Sequence, residues 1–148
     1  MVGSRKAMTV MAVTLVLLLV NATLAWSNDQ GKYAATGLND AASFDRFYSE
    51  LRTAVLKDDR QKVISLWAYP MVFPMPGNKT ESLRDKVALL KDYDIVFTKD
   101  VKAAFERTDL SKITWSYAGF RVGDGEMWIR PAGIAGRFFI SHVDNAQH

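Results

Sequence analysis

The chain has 148 residues, with 19 Lys and Arg, 16 Asp and Glu, and no cysteine. This length fits a single domain, and the lack of cysteine excludes thiol nucleophiles, disulfides and cysteine metal sites. Acidic and basic residues are interspersed without a basic block, whereas nucleic-acid binding needs clustered positive charge. We therefore exclude nucleic acid as a partner.

Residues 1–27 have the pattern of a secretory signal peptide. Arg5 and Lys6 precede an uncharged, mostly apolar run over Met8–Val20, as the positive and apolar regions of a signal do. That run of about 13 residues is shorter than the roughly 18 apolar residues of a membrane span, although an uncleaved N-terminal anchor is an alternative. We expect a periplasmic or secreted protein that meets the membrane only through this segment, before cleavage.

Cleavage after Ala25 or Ser27 is predicted from the small residues near both positions. The mature chain of about 120 residues is long enough for one hydrophobic core without disulfides. Residues 28–42 are polar and small, which predicts a flexible spacer. Residues 43–145 are then the single folded domain.

Helical spacing of apolar residues predicts a first helix over Ser43–Lys57, with Ser43 as its N-cap. A second short helix is expected after Asp59, which should cap it. This helix should end at Tyr69-Pro70, because a residue before proline avoids the helical region.

An extended edge segment is predicted over Pro70–Pro76, since its prolines lack the donor that a central strand needs. A turn at Gly77-Asn78 should lead into a third helix over Glu81–Tyr93. Asp94–Phe97 then crosses to a fourth helix over Lys99–Arg107, which Thr98 is expected to cap.

The stretch Ile113–Val143 alternates apolar and polar residues and predicts an antiparallel meander of three strands. Gly123-Asp124-Gly125 is the expected turn between the first two strands, because Asp-Gly suits the positive backbone angles of a hairpin. A bulge or bend is expected at Gly119. Helices followed by an antiparallel sheet indicate an α+β fold, with the helices on one face of a curved sheet.

Three segments carry a family resemblance: Phe47–Pro70, Lys91–Thr98 and Trp115–Ile129, whose last stretch reads WSYAGFRVGDGEMWI. Together with the order of elements, they resemble small exported bacterial members of the NTF2-like (SnoaL-like) superfamily. The resemblance implies a cone-shaped sheet wrapped around helices, with a pocket at its wide end. It does not imply an activity, because that superfamily includes both enzymes and non-catalytic members.

The meander holds the residues with the greatest potential for binding. Aromatic side chains together with one arginine suit a carboxylate-bearing or sugar-like ligand. Burial of the tryptophans in the core is the alternative. The predicted ligand-binding residues are Trp115, Tyr117, Trp128, Arg130 and His142.

His142 is also the candidate general base of a catalytic alternative, paired with Asp94 or Glu126. A hydrogen-bonded strand histidine is the simpler interpretation of His142, and a solvated helix end that of Asp94. The only other histidine is the terminal His148, so no histidine metal site is expected. No cofactor-binding motif is found.

Two functions follow from these observations. The first is an exported NTF2-like domain that binds a small molecule or an envelope protein and catalyses no reaction. The alternative is a small acid–base enzyme of the SnoaL type, in which His142 and a carboxylate must line one pocket.

Overall fold

Residues 38, 41–134 and 136–144 are described by the structure, a computed structural model. The predicted signal peptide, residues 28–37 and 39–40 of the predicted spacer, residue 145 of the predicted domain and His148 lie outside the described residues. Within the described ranges, no helix has the length and apolar character needed to cross a membrane.

Helix α1 spans Ala41–Leu56 and begins two residues before the predicted start. Ser43 is therefore in its first turn and is not the N-cap that the sequence suggested. Helix α2 spans Arg60–Leu66, and the Asp59 side chain accepts a hydrogen bond from the Lys62 N–H at 3.0 Å, which confirms the predicted cap.

The predicted extended segment is strand β1, Met71–Met75. It pairs antiparallel with β2, Lys79–Leu83, whose last three residues belong to the predicted third helix. The predicted helix over Glu81–Tyr93 was therefore wrong in its first part. Helix α3 is shorter, Lys86–Lys91, and Asp85 caps it by accepting from the Ala88 N–H at 2.9 Å.

A short helix, α4, occupies Tyr93–Val96, where a crossing segment was predicted. Helix α5 spans Lys99–Arg107 with Thr98 at its N-cap, as predicted. A 3₁₀ turn over Leu110–Lys112 leads into the sheet.

The C-terminal meander has four strands and not the three predicted. They are β3 (Trp115–Ser116), β4 (Gly119–Val122), β5 (Met127–Pro131) and β6 (Phe138–Val143), hydrogen-bonded in that order and all antiparallel. The extra strand arises because the chain turns at Tyr117 and Ala118 where a bulge at Gly119 was expected. The turn between β4 and β5 lies at Gly123–Glu126, which confirms the predicted hairpin.

A bulge does occur, but in β6. Trp128 is opposite His142 and Ile129 is opposite Ile140, so Ser141 is left without a partner on β5. An extra residue of this kind shifts the alternation of all residues that follow it. Val143 is therefore buried with Ile140, and His142 is not.

The core lies between α1 and one face of the four-stranded sheet. Phe44 is at its centre, fully buried, with its ring 4.7 Å from Phe120 and 5.3 Å from Phe138, both in edge-on geometry. Tyr48 continues the stack toward Phe105 of α5. The structure is therefore α+β, with helices packed on an antiparallel sheet.

Candidate functional site

The outer face of the sheet, opposite the face that packs on α1, contains an open groove of about 400 Å³. The residues that line the groove come from the β3–β4 turn, from β5 and from the bulge of β6. They are Tyr117, Ala118, Trp128, Arg130, Ser141 and His142. Four of the five predicted ligand-binding residues are thus brought together: Tyr117, Trp128, Arg130 and His142.

Trp128 is at the centre of this face. Its neighbours along β5, Met127 and Ile129, are fully buried in the core, so the pleat turns the half-buried Trp128 outward. Across the ladder it is flanked by Arg121 on β4 and His142 on β6. Of these two neighbours, only His142 lines the groove.

The bulge at Ser141 is what brings His142 to the groove. Regular alternation after the buried Ile140 would have turned His142 into the core and Val143 outward. The additional residue reverses this arrangement, so that Val143 is buried and His142 is opposite Trp128. Bulges that redirect a side chain in this manner are frequent beside functional sites.

Trp115 does not join the groove. Its ring packs edge-on against Phe44 at 4.9 Å and lies 5.5 Å from Phe120, its partner on β4. Trp115 is half-buried at the edge of the core. Trp115 is therefore packed against the core, as the alternative interpretation of the tryptophans states, whereas Trp128 is on the outer face.

Glu126 holds the β4–β5 turn to α5. Arg107 donates a hydrogen bond to its carboxylate, and the other carboxylate oxygen accepts from the Asp124 N–H at 2.7 Å. The Gly123 N–H in turn donates to the Thr108 hydroxyl at 2.7 Å. These contacts give Glu126 a structural role at the end of the hairpin.

Asp94 is bound by Arg60 through two parallel hydrogen bonds of 2.8 and 2.9 Å. The same guanidinium lies 4.6 Å from the ring centroid of Tyr93, and Lys102 joins the group through Asp58 at 2.7 Å. The hydrogen bond and charge of Lys102 hold the pKa of Asp58 below its ordinary value. Asp94 thus belongs to an ion-pair network that links α2, α4 and α5.

Neither carboxylate lines the groove that His142 lines. The structure therefore does not bring together the pairs that the catalytic alternative requires, His142 with Asp94 or with Glu126. Within the described ranges, no cluster of three or more His, Asp or Glu side chains could hold a metal ion.

Burial raises the pKa of Tyr69, which packs against the core, and of the two fully buried tyrosines Tyr48 and Tyr93. Burial raises the pKa of Tyr48 to about 12, against a smaller opposing effect of the Thr108 hydroxyl. Burial also raises the pKa of Tyr93 to about 12. None of the three lines the groove, so their perturbation reflects packing and not chemistry at the site.

Sequence reasoning missed two residues that line the groove, Ala118 and Ser141, and did not identify Arg121 as the neighbour of Trp128 on β4. Ala118 lines the groove because it is in a turn that the alternation pattern concealed. Ser141 does so because of the bulge, for which the sequence has no local signal. The pairing of Arg121 with Trp128 could have been predicted, because Arg121 is two residues before the turn at Gly123.

Comparisons with protein-family models, with curated proteins and with solved structures find no match to this chain.

Proposed function

We propose that this protein is a non-catalytic binding domain whose recognition surface is the groove on the outer face of the C-terminal sheet. The observation that carries the proposal is the convergence of Tyr117, Trp128, Arg130 and His142 on one concavity. Aromatic side chains supply rigid apolar contact area, and a few polar groups fix the orientation of a ligand.

The arrangement of the acidic residues favours binding over catalysis. General acid–base catalysis needs the base and its partner within hydrogen-bond reach, directly or through one water. Asp94 and Glu126 are instead bound by Arg60 and Arg107, at positions that do not line the groove.

Export and family membership are parts of the same proposal. The charge and apolar pattern of residues 1–27 supports a cleaved signal peptide and a periplasmic or secreted location. The element order of helices, a hairpin, further helices and an antiparallel sheet supports a divergent NTF2-like domain. Under this proposal the ligand is a small molecule or a side-chain group of an envelope protein.

A fragment titration tests the binding proposal. Phenol, benzoate and glucose are added to the ¹⁵N-labelled mature chain, and the amide signals are followed. We expect the shifts of binding fragments to concentrate on Ala118, Ser141 and His142, and to vanish in Trp128→Ala. Val87→Ala is the control, because Val87 is 75% exposed on α3 outside the groove.

Two results would contradict the proposal that the groove is the binding surface. In one, fragments bind but the shifts concentrate on another surface. In the other, Trp128→Ala and Val87→Ala bind the fragments as well as the wild type does.

A further inference from the structure

The cationic groups of the outer face have no acidic partner. Arg130 is exposed, and the guanidinium groups of Arg130 and Arg121 form no ion pair or hydrogen bond with any described residue. By contrast, Arg60 and Arg107 are each held by a carboxylate. Among the residues that the structure describes, no Asp or Glu lines the groove. The groove therefore presents positive charge that is not neutralised by its own walls.

The hydroxyl of Ser141 is a second group without a partner. Its oxygen is buried and makes no hydrogen bond with the described residues. A buried hydroxyl that lacks a partner is unfavourable, and each unsatisfied group of this kind calls for an explanation. Because Ser141 lines the same groove as Arg130, rotation of its side chain would turn the hydroxyl toward a ligand whose acceptor oxygens also reach Arg130.

The body of the ligand would rest on the aromatic side chains. Trp128 is half-buried on β5, and Tyr117 is 94% exposed in the β3–β4 turn. Aromatic rings on one face suit a flat body such as an aromatic ring or the apolar face of a sugar ring. The volume of about 400 Å³ is in the size class of single small ligands.

We propose that the groove binds a carboxylate carried on a six-membered ring, with Arg130 and Ser141 holding the carboxylate and Trp128 supporting the ring. This inference rests on the proposed function and specifies its ligand class. A guanidinium binds a carboxylate through two parallel hydrogen bonds, which a neutral amide cannot reproduce. The His142 imidazole, opposite Trp128, offers one further hydrogen bond to a ring substituent.

Two pairs of probes that differ only at the carboxylate test the inference. They are benzoate against benzamide, and glucuronate against glucuronamide, with dissociation constants from NMR titration of the mature chain. We expect the acid of at least one pair to bind about tenfold more tightly than its amide, because charge-assisted hydrogen bonds are about twice as strong as neutral ones. The pair that discriminates identifies the ring as aromatic or sugar-like.

Arg130→Gln should abolish this discrimination, and Ser141→Ala should weaken binding of the acid about threefold, since one neutral donor is lost. Arg121→Gln is the matched control. It removes the same charge from the same face but at a position that does not line the groove, so the preference for the acid should persist.

Three outcomes would overturn the inference. If acid and amide bind the groove equally, the ligand class is wrong and the proposed binding function stands. If Arg121→Gln removes the preference as completely as Arg130→Gln does, the effect is one of general charge and not of a carboxylate site. If neither acid binds while phenol or glucose still shifts the groove signals, the site takes neutral ligands.

Discussion

Replacing Gly123 by alanine tests how the β4–β5 hairpin is fixed to α5. Gly123 has a φ of +63°, and an added Cβ would be 2.7 Å from the Ala104 Cβ and 2.3 Å from a carboxylate oxygen of Glu126. The Glu126 side chain could move away, but only by weakening its ion pair with Arg107. The Ala104 Cβ is bonded directly to the backbone of α5, so it cannot rotate away.

Gly77→Ala is the matched control for this substitution. Gly77 has a similar φ of +76° with nothing within 4 Å of an added Cβ. Both alanines incur left-handed strain of about 1–2 kcal/mol, partly offset by about 0.4–1 kcal/mol from a stiffer unfolded chain. Only Gly123→Ala adds overpacking, which destabilises by about 1–3 kcal/mol.

Urea unfolding followed by circular dichroism measures this difference. We expect Gly123→Ala to lower the free energy of unfolding by about 1–3 kcal/mol more than Gly77→Ala does. If the two variants agree to within about 0.5 kcal/mol, a difference typical of neutral surface changes, the turn is not packed on α5 as described and the reasoning fails.

Two further predictions concern stability. Because burial raises the folded-state pKa of Tyr48 and Tyr93 to about 12, and that of Tyr69 further still, the unfolded chain loses these protons first, near pH 10. Stability should therefore be intact below about pH 10 and fall toward pH 12, with each tyrosine adding a slope of up to about 1.4 kcal/mol per pH unit. Urea unfolding midpoints measured across this pH range test the slope. Tyr93→Phe should reduce the slope, and a midpoint that does not change with pH would refute the prediction. Phe44→Ala should destabilise by about 3–5 kcal/mol, whereas Trp128→Ala on the outer face should change the free energy of unfolding by about 1 kcal/mol or less. Thermal unfolding compares the two, and equal losses would show that Trp128 is part of the core.

Local signals in the sequence predicted much of the helical part. Asp59 and Thr98 were identified as N-caps because a side-chain acceptor directly before an apolar-periodic run has one clear structural use. The Gly123–Gly125 turn was found for a similar reason, since few other residues adopt its backbone angles. These features depend on neighbours along the chain.

Strand β2 could not be predicted in this way. Its sequence, KTESL, has one buried residue, Leu83, and otherwise looks like the polar start of a helix. It is a strand because it pairs with β1 over five residues, and such pairing depends on tertiary contacts and not on local propensity. The Asp85 cap two residues later was the available signal that the helix begins after Leu83.

The candidate site could be predicted only in part, because the positions of turns and bulges in a sheet also depend on tertiary contacts. Alternation correctly grouped Trp128 with Arg130, because both are on one uninterrupted strand. It wrongly included Trp115, which is separated from that face by the turn at Tyr117 and Ala118. A bulge or turn in the chain changes which face a residue occupies, and single-sequence periodicity does not locate it.

The most direct test of the binding groove uses the tryptophans as internal reporters. In the ¹⁵N-labelled mature chain, the indole N–H signals of Trp67, Trp115 and Trp128 are followed during titration with benzoate and with glucuronate. The account predicts a saturable shift of the Trp128 signal with at least one acid, while the buried Trp67 and the core-edge Trp115 stay unchanged. A shift of Trp67 or Trp115 with no change at Trp128 would contradict it.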